Sequence, residues 1–340
     1  MSGSELDAIA QAMVAKGKGI LAADESSGTI KKRFDSIKLE STEENRRAYR
    51  DMLFTAQGAA DHISGVILYD ETIRQKGREG VAFPQLLNKL GIIPGIKVDT
   101  GAKPLPNFPG ETITEGLDGL RERLAEYYQL GARFAKWRAV IDIGTGIPTQ
   151  FAIDANTHAL ARYAALCQEA KIVPIVEPEV LMDGAHDIAR CEEVTGATLA
   201  SVFKALHDQR VRLEGIVLKP NMVISGKKAS SRAGAQQVAE ATVRCLKRYV
   251  PSAVPGIAFL SGGQSAAEAT EHLSLMNKIG SLPWQLTFSY GRALQDEALK
   301  AWGGKPENVA AGQKAFVRRA KFNGLARSGS YTAAHEQQAA

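Results

Sequence analysis

A single α/β domain closed as a (β/α)8 barrel of the TIM type is the fold this 340-residue sequence predicts, and three observations carry that reading. Short apolar runs recur along the chain, amphipathic helical stretches separate them, and the runs number eight, each ending in polar or glycine residues. Strands buried on both faces and separated by helices pair in parallel, and eight of them in a chain of this length favour a closed barrel over an open sheet. An open doubly wound sheet would carry a glycine-rich dinucleotide turn after its first strand. Here the first run leads instead into Ala23-Asp24-Glu25-Ser26-Ser27-Gly28.

In order, the predicted strands cover 19–24, 65–70, 95–99, 134–143, 172–179, 213–221, 256–263 and 286–292. Apolar residues spaced three and four apart predict helices over 43–60, 114–130, 155–170, 187–208, 233–249 and 265–279. Gly303-Gly304 ends one further helix, and 307–326 reads as the C-terminal one. No linker divides the chain, so residues 1–326 are expected to form one catalytic domain, with 327–340 a flexible tail.

At 44% hydrophobic and 23% charged, the chain can bury a sizeable core. Lys plus Arg (42) exceed Asp plus Glu (37), giving +5, a mild excess suited to phosphorylated metabolites. Basic residues occur as singles, pairs and the short Lys31-Lys32-Arg33, with no aromatic RNA signature and no zinc-finger spacing, so nucleic acid is not an expected partner. Cys167, Cys191 and Cys245 are odd in number and sit in helix-like segments, which argues against disulfides and fits a reducing cytoplasm. The N-terminus has no apolar leader region, and no apolar run approaches the roughly 20 residues of a membrane span. A soluble, cytoplasmic protein is expected, without membrane partners.

Lys219 is the first candidate for chemistry, because it closes the apolar run Gly215-Ile216-Val217-Leu218. Burial penalises an ammonium ion, and a neutral amine is the nucleophile that imine chemistry requires. Lys136 after Phe134-Ala135 and Glu177 after Ile175-Val176 place further charge at what read as the ends of the fourth and fifth strands. An amine that attacks a ketone, a carboxyl group that shuttles protons and a second ammonium that stabilises developing negative charge form a coherent set. A buried Lys-Glu ion pair is the alternative for any one of these charges alone. Asp24, ending the first strand, is placed to act on a substrate hydroxyl or to cap the next helix. For Asp70, Asp99 and Glu179 a supporting role is expected.

Leu260-Ser261-Gly262-Gly263-Gln264 follows the seventh strand, and Ser289-Tyr290-Gly291-Arg292 ends the eighth, the usual phosphate locus of such barrels. Glycine turns let main-chain N–H groups approach phosphate oxygens, serines add donors, and Arg292 offers a bidentate clamp. A second hydroxyl and basic set comprises Ser26, Thr29, Lys32, Arg33 and Lys97. Two such sets suit a bisphosphate. The six histidines are scattered, none ends a strand, and no paired-ligand spacing occurs, so no metal and no cofactor are expected.

Six segments, Ala22-Ala23-Asp24-Glu25-Ser26, Phe134-Ala135-Lys136-Trp137-Arg138, Val176-Glu177-Pro178-Glu179, Leu218-Lys219-Pro220-Asn221-Met222, Leu260-Ser261-Gly262-Gly263-Gln264-Ser265 and Phe288-Ser289-Tyr290-Gly291-Arg292, together resemble class I fructose-bisphosphate aldolase, from about Gly17 to Tyr331. The resemblance implies a metal-independent (β/α)8 lyase of glycolysis and gluconeogenesis, commonly a homotetramer. Such a lyase reversibly cleaves fructose 1,6-bisphosphate into dihydroxyacetone phosphate and glyceraldehyde 3-phosphate. It implies Lys219 as the Schiff-base lysine, Glu177 as proton-transfer acid, Lys136 as its neighbouring lysine, and Asp24 at the hydroxyl beside the scissile bond. Ser261, Gly262, Gly291 and Arg292 match the site for the phosphate nearer the ketone; Ser26, Thr29, Arg33 and Lys97 match the other. Arg138 and Ser289 lie in the same matched segments and are expected to line the substrate site. Thr29 stands where animal members usually have serine. Animal and plant members end in a tyrosine that helps protonate the enamine, whereas this chain ends at Ala340 and its nearest tyrosine, Tyr331, matches an earlier part of the family tail. Either another group or water exchanges that proton, or the chain is a naturally shorter variant. The rival readings are another Schiff-base barrel enzyme of the transaldolase kind and a non-catalytic scaffold for polyanions.

Overall fold

In the computed structural model, which describes residues 3–337, eight parallel strands close into a barrel in the order β1-β10-β9-β8-β7-β6-β3-β2. These are β1 Gly19–Ala22, β2 Ile63–Leu68, β3 Ile93–Lys97, β6 Phe134–Ile141, β7 Val173–Val180, β8 Val217–Leu218, β9 Gly256–Phe259 and β10 Gln285–Tyr290. Two short strands, β4 Gly101–Pro104 and β5 Thr112–Glu115, pair as an antiparallel hairpin inserted after β3. Every expected barrel strand is present.

Aromatic bulk fills the lower barrel where strands carry glycine. A Cβ at Gly65 would stand 2.9 Å from the Phe134 ring, and one at Gly95 would overlap it, so neither position admits a side chain beside this phenylalanine. Ile20, Ile67, Val173, Ile175, Val217 and Ala258 complete the inner cluster. The helix Gly3–Met13 closes that end of the barrel with Leu6, Ala10 and Met13, and Val14 follows. A second, larger apolar layer lies between strands and outer helices, with Trp137, Tyr163, Phe203, Phe259 and Leu294 among its members.

Three elements differ from expectation. The helix expected over 114–130 begins only at Leu120, because Thr112–Glu115 is taken by the hairpin and Gly116 and Gly119 adopt positive φ between them. The strand expected over 213–221 is a 3-10 turn, Leu213–Gly215, followed by only two strand residues. The chain from 327, expected as a flexible tail, is packed as far as it is described. Arg327 donates to the carbonyl oxygens of Leu286, Val14 and Lys18, Tyr331 is buried against Phe322, and Ala334–Gln337 forms a short helix. The last three tail residues lie outside the described ones.

Candidate active site

Within the barrel the inward faces of several strands change from apolar to charged along their length. On β6 the alternating residues Phe134, Lys136 and Arg138 point inward, while Ala135, Trp137 and Ala139 belong to the outer layer. On β7 the inward series is Val173, Ile175, Glu177, Glu179; Val217 on β8 is continued by Lys219 just past the strand, and Ile20 and Ala22 on β1 by Asp24. Lys136 and Glu177 therefore stand inside their strands, which run on to Ile141 and Val180, and not at the ends.

Above the apolar plug lies a cleft of about 590 Å3. Every catalytic and substrate-binding candidate named from the sequence lines it: Asp24, Lys136, Glu177 and Lys219, with Ser26, Thr29, Arg33, Lys97, Arg138, Ser261, Gly262, Ser289, Gly291 and Arg292 around them. Lys219 Nζ is 3.3 Å from Glu177 Oε1, and Lys136 Nζ is 3.4 Å from Glu177 Oε2. Lys136 donates to Asp24 Oδ2 at 3.0 Å and lies 4.0 Å from Asp99 Oδ2. Burial works against an ammonium at Lys136, but the carboxylates of Asp24, Glu177 and Asp99 outweigh it and hold this amine protonated well above the ordinary lysine range. Burial likewise pushes the Asp24 carboxyl up. The ammonium groups of Lys136 and Lys219 overcome that and hold it at about 2. The alternative role for Asp24 as a helix cap falls away, since Ser26 is the N-cap residue of the helix Ser27–Asp35 and the Asp24 carboxylate faces Lys136.

The cleft has two polar ends. At one, Ser26 Oγ and Thr29 Oγ1 are 3.1 Å apart at the N-terminus of Ser27–Asp35, and Lys97 Nζ is held 2.7 Å from Asp99 Oδ1. At the other, Ser261-Gly262 and Gly291-Arg292 meet, with the helix Arg292–Trp302 starting there. The resemblance groups Arg33 with Ser26, Thr29 and Lys97, but its Nη2 lies 3.4 Å from the point where Gly291 would carry a Cβ. Its Nη1 is 2.6 Å from Glu25 Oε1, so Arg33 faces the Gly291 end.

Glu25, which the sequence presents only as one residue of the stretch Asp24-Glu25-Ser26, also lines the cleft. Its carboxylate joins Arg33 to the buried Arg50 at 2.7 Å and accepts from Gln295 at 3.0 Å. No local pattern marks it, because Gln295 is 270 residues away. Asp99 and Glu179, expected to be supporting residues, do line the cleft. Asp99 holds Lys97 and the Arg138 N–H, and Glu179 pairs with the Arg138 guanidinium. They stand two residues beyond Lys97 and Glu177 on the same inward faces, a period-two signal that the sequence contains. Asp70 is outside the cleft, bound to Arg74 and Tyr127. Tyr331 is also outside it, donating to Glu336 at 2.6 Å. Among the described residues no group of three or more His, Cys, Asp or Glu side chains is arranged to hold a metal ion, and no helix is long and apolar enough to cross a membrane.

A family profile described as fructose-bisphosphate aldolase class-I, glycolytic, matches residues 5–340. A protein of Xanthomonas axonopodis pv. citri named "Probable fructose-bisphosphate aldolase class 1" is 60% identical over 332 residues, covering 97% of this chain and 99% of its own. "Fructose-bisphosphate aldolase 4, cytosolic" of Arabidopsis thaliana is 55% identical, covering 96% and 84%. Among solved structures, a fructose-bisphosphate aldolase from Plasmodium falciparum, crystallised with TRAP and a small-molecule inhibitor, superposes with a TM-score of 0.96 at 53% identity, covering 97% of this chain and 95% of that one. Fold, cleft and sequence therefore agree, and the chain belongs to the class I fructose-bisphosphate aldolases, carbon–carbon lyases of glycolysis.

Proposed function

We propose that this chain cleaves fructose 1,6-bisphosphate reversibly to dihydroxyacetone phosphate and glyceraldehyde 3-phosphate, through an imine on Lys219, with Glu177, Lys136 and Asp24 sharing the proton transfers. The reading rests on one continuous polar chain, Lys219 to Glu177 to Lys136 to Asp24, whose links are 3.3, 3.4 and 3.0 Å. Lys219 passes a proton to the Glu177 carboxylate 3.3 Å away, and the free amine adds to the ketone carbon, its nitrogen then giving a proton to the carbinolamine oxygen. Glu177, in reach of that nitrogen, protonates the departing hydroxyl so that water leaves and the iminium forms. The iminium draws electrons toward nitrogen. Asp24, kept ionised beside Lys136, removes the proton of the hydroxyl next to the scissile carbon–carbon bond, which then breaks to give the aldehyde and an enamine. Protonation of the enamine and hydrolysis of the imine return the free lysine and release the ketone product. Lys136, fixed as an ammonium, stabilises negative charge that develops between the carboxylates.

Ser261, Gly262, Gly291 and Arg292 receive the phosphate nearer the ketone. Ser26, Thr29 and Lys97 receive the other. Arg33 joins the first set, supported by its approach to Gly291, while Arg138 and Ser289 complete the walls. The working form is a homotetramer in the cytoplasm, a reading supported by the family resemblance and by a plant relative named cytosolic. Light scattering on the purified protein checks the tetramer.

Borohydride reduction in the presence of dihydroxyacetone phosphate tests the chemistry. A mass adduct on Lys219 is expected. An unlabelled wild type, or a label that persists in Lys219→Met, overturns the assignment.

A further inference from the structure

We infer that Asn221 is a positioning residue for the imine-forming lysine, an inference that rests on the Schiff-base reading above. Its side-chain amide replaces a hydrogen bond missing from the barrel ladder beside Lys219.

β8 has two strand residues, the fewest in the barrel. Its pairing with β7 places Ile175 opposite Val217 and Val176 opposite Leu218, and the Lys219 N–H donates to the Val176 carbonyl at 2.8 Å. The next rung would run from residue 178 of β7 to the carbonyl of Lys219, but residue 178 is proline and has no N–H to give. The ladder is thus interrupted at the level where Glu177, Glu179 and Lys219 point into the cleft.

Continuing the same register, the Val180 N–H would reach the main-chain carbonyl of Asn221. It donates instead to the Asn221 side-chain carbonyl, at 3.0 Å. That amide is 3% exposed and is held in turn: its Nδ2 donates to Thr195 Oγ1 at 3.1 Å, from the helix Ile188–Asp208, and to the Met222 carbonyl at 3.1 Å. A buried side chain with both ends engaged is fixed in orientation. Asn221 therefore ties Val180 at the end of β7, three residues past Glu177 and next to Glu179, to the segment two residues past Lys219. The 3.3 Å approach of Lys219 Nζ to Glu177 Oε1 depends on that tie. Neither Asn221 nor Thr195 lines the cleft.

The test compares Asn221→Leu, Asn221→Asp and Thr195→Val in the full chain. Asn221→Leu removes the hydrogen bonds to Val180, Thr195 and Met222 at similar volume; Asn221→Asp keeps the acceptor for Val180; Thr195→Val removes only the group that orients the amide. With folded fraction matched by circular dichroism, Asn221→Leu is expected to lower kcat about 10- to 100-fold, since a misplacement near 1 Å can cost that much. KM should stay within about twofold, because the phosphate ends are untouched, and the rate of borohydride trapping should fall with kcat. Asn221→Asp should recover a large part of the loss, and Thr195→Val should lose less than Asn221→Leu in the same direction. If Asn221→Leu does not fold, Thr195→Val alone decides, by the same split between kcat and KM. Unchanged kcat and trapping rate in the folded variants, or a rise in KM that matches the fall in kcat, overturns the positioning role. A wild type that traps no adduct overturns the Schiff-base reading itself, so the two failures are distinct.

Discussion

The two ends of the barrel interior are built from the same strands yet obey different physics. Below, Phe134, Ile20, Ile175 and Val217 pack against glycine-bearing strands and a helix that closes the floor. Further along the same inward faces, Lys136, Asp24, Glu177 and Lys219 replace them, Asp24 partly exposed and the others buried, and each in reach of an opposite charge. Buried ion pairs contribute little net stability compared with apolar packing. Stability should thus reside in the lower layer, while the upper layer spends desolvation on holding reactive groups a few ångströms apart. Three substitutions probe that division.

Phe134→Ala should have the largest effect, a loss of about 3–5 kcal/mol in unfolding free energy. Urea titration measures it, while kcat per folded molecule should stay close to wild type. A stable but inactive Phe134→Ala would break the separation of layers. Arg292→Ala should do the reverse. Losing a charge-assisted contact of about 1.5–3 kcal/mol to the substrate should raise KM for fructose 1,6-bisphosphate roughly 10- to 100-fold, with the unfolding midpoint nearly unmoved. Steady-state kinetics beside a thermal melt would reveal a lost midpoint if this exposed arginine mattered to folding. The smallest effect concerns acid. Asp24 is held at about 2 against an ordinary value of 3.8, so its carboxylate contributes stability that is complete above pH 4 and lost as pH falls through 2. Across that window wild type should lose about 2 kcal/mol more than Asp24→Asn. Parallel stability curves for the two proteins would contradict the ionic picture of the upper layer.

Much of the site was legible because its chemistry is written along strands. An apolar run that stops at a lysine or an acid needs no tertiary knowledge to raise suspicion, and Lys219, Lys136, Glu177 and Asp24 all announce themselves this way. What stayed hidden depended on distant partners. Glu25 looks like part of a helix start until Arg50 and Gln295 are brought to it. Arg33 reads as belonging with Ser26 until the close of the barrel sets Gly291 beside it. The run from Leu213 looks like a full strand, because hydrophobicity does not reveal that Leu213–Gly215 coils into a 3-10 turn or that Pro178 leaves the neighbouring strand without a donor beyond Leu218. Tyr331 sits in a segment whose composition suggests mobility, yet Phe322, Ser274 and Glu336 secure it.

The side chains around the cleft also carry a consequence for capture of substrate. Seven cationic and five anionic side chains line it, and the pairs in the middle largely neutralise one another. The surplus of positive charge therefore lies with Lys32 and Arg292, the lining cations outside these pairs, and there it draws an incoming bisphosphate from beyond contact range. Dissolved ions screen such attraction over about 10 Å at 0.1 M salt, while they barely reach the buried pairs. Rising ionic strength should accordingly slow the encounter and leave the turnover of bound substrate alone.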